Sequence, residues 1–249
     1  MSVQGGVVVP GGAPLDLIKQ KVDGIQAVMF RVLEMLLGHA PRKRGSPPVE
    51  ITDLFRAWLF HAPAGSYQFT VRVEAPKQID LFAKHPEIEQ VTSTFLSILR
   101  ASATDPEREL AKLVPDQQYR EAFVNLSRNL APTGKTFERL EVRDASRPAM
   151  EPVTFEANSR RQLNAAAKNL RPKREVPPDE KVEVKGVLRG LELNDDWLSL
   201  DMPDGTRVRV YEAGDVLDDV IGPLVNQHVI LTAVRIKGRL LYRDIEADD

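Results

Sequence analysis

The chain contains no cysteine in 249 residues, so disulfide frameworks and thiolate-ligated zinc sites are excluded. Aromatic residues make up only 6%. No apolar run approaches the roughly 20 residues that span a bilayer, so no membrane segment is expected. The opening Met1-Ser-Val-Gln-Gly-Gly lacks the basic region and long apolar stretch of a secretory signal. Together these absences predict a cytoplasmic protein. Histidine is scarce: His39, His61, His85 and His228 are scattered, with no pair at i, i+4 on one helix. Nothing therefore supports a metal site, and no cofactor is predicted.

What is present is ordinary for a globular protein: 42% hydrophobic and 28% charged residues, enough to build a core unaided. The length suggests one large domain or two unequal ones. Net charge is only −2, but it is unevenly placed. Residues 1–174 carry 25 Lys/Arg against 19 Asp/Glu, whereas residues 181–249 carry 9 against 14. The sign changes inside "NLRPKREVPPDEKVEVKGVL" (169–188), where Pro172 and Pro177-Pro178 stiffen the chain. The predicted organisation is a flexible tail (1–13), an α+β domain (14–170), a linker (171–180) and a small β-barrel (181–249).

In the first domain Pro14 suits the first position of a helix that runs to about Leu37 and stops at Gly38. Leu15, Ile18, Val22, Ile25, Met29, Val32 and Leu36 recur in steps of three and four. Phe30, Leu33 and Leu37 widen that heptad seam toward its C-terminal end, and it reads as a core face or, alternatively, as a homodimer contact through helix 15–37. Tyr67, Phe69, Val71 and Val73 alternate with polar residues as in a half-buried strand, and 54–60 is its candidate neighbour. Further helices are predicted from residue 86, at 106–114 and at 116–130, with Asp105 and Asp116 as caps. Short strands follow at 136–142 and 152–157. A last helix has Ser159 and Gln162 at capping-box spacing. Val7-Val8-Val9, flanked by glycine pairs, reads as a short strand within the tail.

From Lys181 the period is two throughout. Strands are predicted at 182–193, 197–202, 206–212, 227–236 and 239–246, with Asp195-Asp196 and Asp204-Gly205 as turns and a short helix within 214–226. The order strand, strand, strand, helix, strand, strand resembles an OB-fold barrel, with an SH3-like barrel as competitor. The chain as a whole resembles bacterial two-domain proteins with a comparable C-terminal barrel, a resemblance that implies no activity.

Catalytic patterns fail one by one. "PTGKT" (132–136) evokes a phosphate loop, but Asn129 stands where the first glycine belongs, and the stretch leaves a helix for a strand. Asp53, His61 and Ser66 are triad residue types, yet Gly65-Ser66-Tyr67 lacks the nucleophile-elbow context. Asp195, Asp196, Asp201 and Asp204 lack calcium-loop spacing and suit hairpin turns.

Two basic constellations remain. Arg160, Arg161, Lys168, Arg171, Lys173 and Arg174 crowd the last helix and its exit without an acid among them. They form either a ridge that neutralises phosphates or docks on an acidic partner, or a solvated face. On the barrel, alternation sends Trp197, Arg207, Arg209 and Tyr211 outward together, with Lys237 in the last hairpin. Aromatics beside arginines suit stacking plus phosphate contact, while Trp197 covering a barrel end is the bland alternative. The reading is a non-enzymatic binding or scaffold protein that acts through protein–protein contacts. The alternatives are nucleic-acid binding by the 160–174 face and the barrel face, or an enzyme whose site assembles only in three dimensions.

Overall fold

A computed structural model describes residues 1–42, 46–54, 56–61, 67–74, 86–170, 181–192, 194–214 and 220–248. The chain divides into two compact units: Met1–Arg42 with Pro47–Arg171, and Lys43–Ser46 with Pro172–Asp249. The architecture is α+β, with helices and a sheet in the first unit and a five-stranded barrel in the second.

The first unit has a five-stranded antiparallel sheet: β1 (Ser2–Gln4), β2 (Arg56–His61), β3 (Tyr67–Glu74), β4 (Arg139–Val142) and β5 (Val153–Phe155), in the order β2-β3-β1-β4-β5. β1 differs from the expectation of a tail with its strand at Val7–Val9. Val3 is fully buried between β3 and β4, whereas Val7 and Val9 are exposed. Three residues carry no readable period, and their partners lie far along the chain. Gly5 and Gly6 then turn the chain away at φ +77° and +64°. A Cβ on Gly6 would stand 2.3 Å from the Thr136 carbonyl oxygen, so only glycine fits there.

Helices α1 (Leu15–Leu36), α2 (Val49–Leu54), α3 (Ile88–Thr104), α4 (Arg108–Leu113), α5 (Gln117–Leu130) and α6 (Ala157–Leu170) complete the unit, and α1, α3, α5 and α6 pack on one another. Around α1 the buried surface is much wider than a heptad seam. Leu17, Lys21, Gly24, Val28, Arg31 and Glu34 are buried beside Ile18, Ile25, Met29, Val32 and Leu33, while Leu15 of the seam is 84% exposed. Gly24 makes close approach possible: a Cβ there would lie 2.8 Å from Leu130 Cδ2.

The polar residues of α1 find partners inside the unit. Lys21 Nζ donates to the Asn129 carbonyl at 2.8 Å and lies 4.5 Å from the Phe137 ring centroid. Glu34 accepts from Arg31 at 3.0 Å and from Arg42 at 2.9 Å, all three side chains being largely buried. Tyr119 donates to the His39 carbonyl at 3.1 Å, and burial, reinforced by the Glu34 carboxylate, pushes its phenol above the usual range. At the start of α5, Asp116 accepts from the Gln118 and Tyr119 N–H groups at 2.8 and 3.0 Å, the cap expected from the sequence. α6 begins before the predicted Ser159 cap. Ser159 instead lies inside the first turn, where its hydroxyl accepts from Glu156 N–H and donates to the Ala103 carbonyl.

The second unit is a closed barrel of β6 (Lys181–Glu192), β7 (Trp197–Asp201), β8 (Arg207–Tyr211), β9 (His228–Ile236) and β10 (Arg239–Ala247), in the order β10-β8-β7-β6-β9. Its neighbours are antiparallel except β8 and β10, which run parallel. A 3-10 turn, Gly222–Leu224, lies between β8 and β9. That third-to-fifth-strand parallel closure is the OB-like form of the Greek-key barrel. Leu188, Leu198, Leu200, Val210, Leu231 and Ile245 fill the interior completely shielded from solvent. At Gly186 a Cβ would stand 2.5 Å from the Asp201 carbonyl oxygen, so the glycine lets β6 lie close over the end of β7.

Candidate functional site

The outer face of β7 and β8 is built by register. Trp197 stands opposite Tyr211, Ser199 opposite Arg209, and Asp201 opposite Arg207. Because alternate residues point to one side, the apolar residues Leu198, Leu200 and Val210 enter the core and these six share the outer face. The Arg209 guanidinium lies 4.5 Å from the Trp197 ring centroid. β10 pairs Leu241 with Tyr211, which brings Arg239 to 5.4 Å from the Tyr211 ring. Two arginine–aromatic stacks thus stand side by side across three strands. Opposite Ser199 is Gly190, where a Cβ would approach the Ser199 hydroxyl to 2.6 Å and the Trp197 ring to 3.6 Å. The bare glycine leaves room for both.

The cations of this face are not equivalent. Arg207 is held by Asp201 through two contacts of 2.7 and 3.3 Å, and Arg189 reaches the same carboxylate at 3.3 Å. The hydrogen bond from Arg207, then its charge, hold Asp201 below the ordinary carboxylate range and raise Arg207. Arg209, Arg239 and Lys237 are exposed and form no ion pair among the described residues. A guanidinium stacked on a ring still presents its N–H edges outward, which suits a phosphate or carboxylate. Arg239 escaped sequence reasoning because its place depends on a parallel register between non-consecutive strands, which leaves no local signal.

One end of this face opens into a cavity of about 470 Å³ between the β7 entry turn and the last hairpin. Asp195, Tyr211, Lys237 and Arg239 are among its walls, with Asp196 and Glu212. Asp196, Glu212 and Lys237 hold left-handed backbones at φ +54°, +55° and +48°. The Asp196 carbonyl accepts from Glu212 N–H at 3.0 Å and its Oδ1 from Gly214 N–H at 3.0 Å, which ties the exit of β8 to the turn before β7. Lys237-Gly238 is a two-residue hairpin with both residues at positive φ, a geometry whose twist matches the strands it joins.

The helical constellation is less coherent. Arg160 is engaged within its own unit: Nη1 donates to the carbonyls of Arg128 and Ala131 at 2.9 and 3.2 Å, where the end of α5 has carbonyls lacking helical partners. Arg161 and Lys168 are exposed. Arg171, Lys173 and Arg174 lie outside the described residues, as do the side chains of Asp53, His61, Ser66 and His85.

"PTGKT" sits between α5 and β4, and the Thr136 carbonyl accepts from Val7 N–H at 2.9 Å, so this loop docks on the N-terminal turn. Among the described residues no His, Asp or Glu cluster could hold a metal ion, and no helix is long and apolar enough to cross a membrane. A larger groove of about 1240 Å³ in the first unit is lined by Ile25, Met29, Phe95 and Leu96, with Met150 at its rim. At its mouth Arg147 pairs with Glu89 and Asp144, and Arg143 with Glu141. No protein-family model, curated protein or solved structure matches the chain.

Proposed function

We propose that the protein is a non-enzymatic binding protein of the cytoplasm whose barrel takes single-stranded nucleic acid on the β7–β8–β10 face. The observation that carries this reading is the pair of stacks, Trp197–Arg209 and Tyr211–Arg239, whose cations have no acidic partner among the described residues. An OB-like barrel presents ligands to its second and third strands and to the first and last hairpin loops, where these groups stand. Flat π-systems hold bases without regard to sequence, and the outward N–H edges hold phosphates. Arg161 and Lys168 are a secondary basic face whose role follows from the same chemistry.

The test is fluorescence anisotropy with labelled single-stranded oligonucleotides over a range of salt. Binding should weaken steeply as salt rises, and Arg209→Ala with Arg239→Ala should flatten the log–log slope by roughly 0.7 per cation removed. Absence of binding to single-stranded DNA or RNA at low salt would overturn the reading. A second reading, a protein–protein adaptor, is favoured by the barrel's acid excess, 14 Asp/Glu against 9 Lys/Arg over 181–249. Retrieval of a protein partner that is lost in the same double variant, with no oligonucleotide affinity, would establish it instead.

A further inference from the structure

An acidic group beside a nucleic-acid face is unfavourable for phosphates, so the carboxylates around the loop cavity call for a chemical reason. Asp195 is exposed and has no hydrogen bond or ion pair among the described residues, and it lines the cavity together with Tyr211, Lys237 and Arg239. Asp196, by contrast, has its Oδ1 on Gly214 N–H and serves the frame. An ionised carboxylate only accepts hydrogen bonds, and it accepts two side by side. Among the four common bases, only guanine offers two adjacent donors on its pairing edge, the ring N1–H and the exocyclic amine. Adenine and cytosine offer one donor next to an acceptor, and thymine or uracil one donor between two acceptors. The Tyr211–Arg239 stack supplies a flat wall for the ring, and Lys237 a cation for the phosphate beside it.

We infer that the cavity between the β7 entry turn and the Lys237-Gly238 hairpin is a guanine-selective subsite, with Asp195 reading the N1–H and amine edge of one base in a bound single strand. The inference rests on the single-strand reading of the barrel face. The three left-handed residues Asp196, Glu212 and Lys237 at the rim fix the loops that present Asp195 and Lys237, so the walls are held in place rather than assembled around a ligand.

The experiment uses the full chain and twelve-residue oligothymidines carrying one central guanine, hypoxanthine, cytosine or no substitution, with free GMP as a further arm. Guanine should bind roughly fivefold or more tightly than the unsubstituted strand. Hypoxanthine, which lacks the exocyclic amine, should lose most of that preference. Asp195→Asn should abolish the preference without lowering oligothymidine affinity, which the loss of a negative charge can only favour, and because Asp195 is exposed the variant is expected to fold. Equal affinity for guanine, cytosine and thymine strands would overturn the subsite and leave the single-strand reading intact. Retention of the preference in Asp195→Asn would also overturn it. GMP binding as tightly as the guanine strand would assign the cavity to a free nucleotide and sink the strand-borne assignment. Failure of every oligonucleotide to bind would remove both the subsite and the reading beneath it.

Discussion

The two units each build the same device, an acid gripped by two arginines, and place it at opposite ends of the burial scale. In the first unit Glu34 is held by Arg31 and Arg42, with side-chain exposures of 2%, 7% and 11%. In the barrel Asp201 is held by Arg207 and Arg189, with exposures of 32%, 63% and 45%. Between them stands Glu141 on β4, itself 9% exposed but gripped by the half-exposed Arg139 and Arg143. The geometry of the three is nearly constant, with closest contacts of 2.7 to 3.3 Å. What differs is the solvent available when one member is lost. Water can replace a lost partner at the barrel surface, whereas beside α1 the clamp is largely shut off from it.

The largest effect belongs to Glu34. Glu34→Ala removes a carboxylate that is 2% exposed and grips two largely buried arginines, and should destabilise the first unit by about 3–5 kcal/mol, read as a fall in its denaturant midpoint. Glu141→Ala should cost roughly 1–3 kcal/mol, because Arg139 and Arg143 can turn to solvent once released. If the Glu141 variant equals or exceeds the Glu34 variant, burial does not rank these clamps. Asp201→Asn should leave the barrel's denaturant midpoint unchanged at moderate salt. Its signature lies in titration instead. The Asp201 carboxyl is depressed by Arg207, so its contribution is complete above the ordinary carboxylate pKa, roughly 3.9, and is lost as pH falls through the lower folded value. Carboxyl NMR should show that low value and its return toward the ordinary one in Arg207→Ala. An unmoved titration in that variant would mean that Arg207 does not set it.

Sequence reading did best where one period ran unbroken. All five barrel strands are legible from alternation, and Asp204-Gly205 marks its hairpin because Gly205 takes a φ of +83° and Asp204 accepts from the Thr206 N–H and hydroxyl. The outer face of Trp197, Arg209 and Tyr211 follows from the same alternation. Failures came where long-range pairing outweighs local pattern. Lys21, Arg31 and Glu34 look like solvated positions on a helix, and nothing nearby shows that Asn129 and Arg42 are waiting for them. Arg160 reads as part of a basic ridge, although its partners are carbonyls at the end of another helix. Arg239 is silent until the parallel pairing of β8 and β10 is known.

The three residues of β1 also set the order of events during synthesis. Ser2, Val3 and Gln4 join the β2–β3 hairpin to the β4–β5 pair, so the sheet is two separate fragments until they are seated on both sides. Their second set of partners, Arg139 to Glu141, is translated more than a hundred residues later. β1 must therefore wait, with Val3 unburied, until most of the first unit has emerged. Such a pairing carries the loop-closure entropy of the whole intervening chain, which makes it a slow and late step in folding.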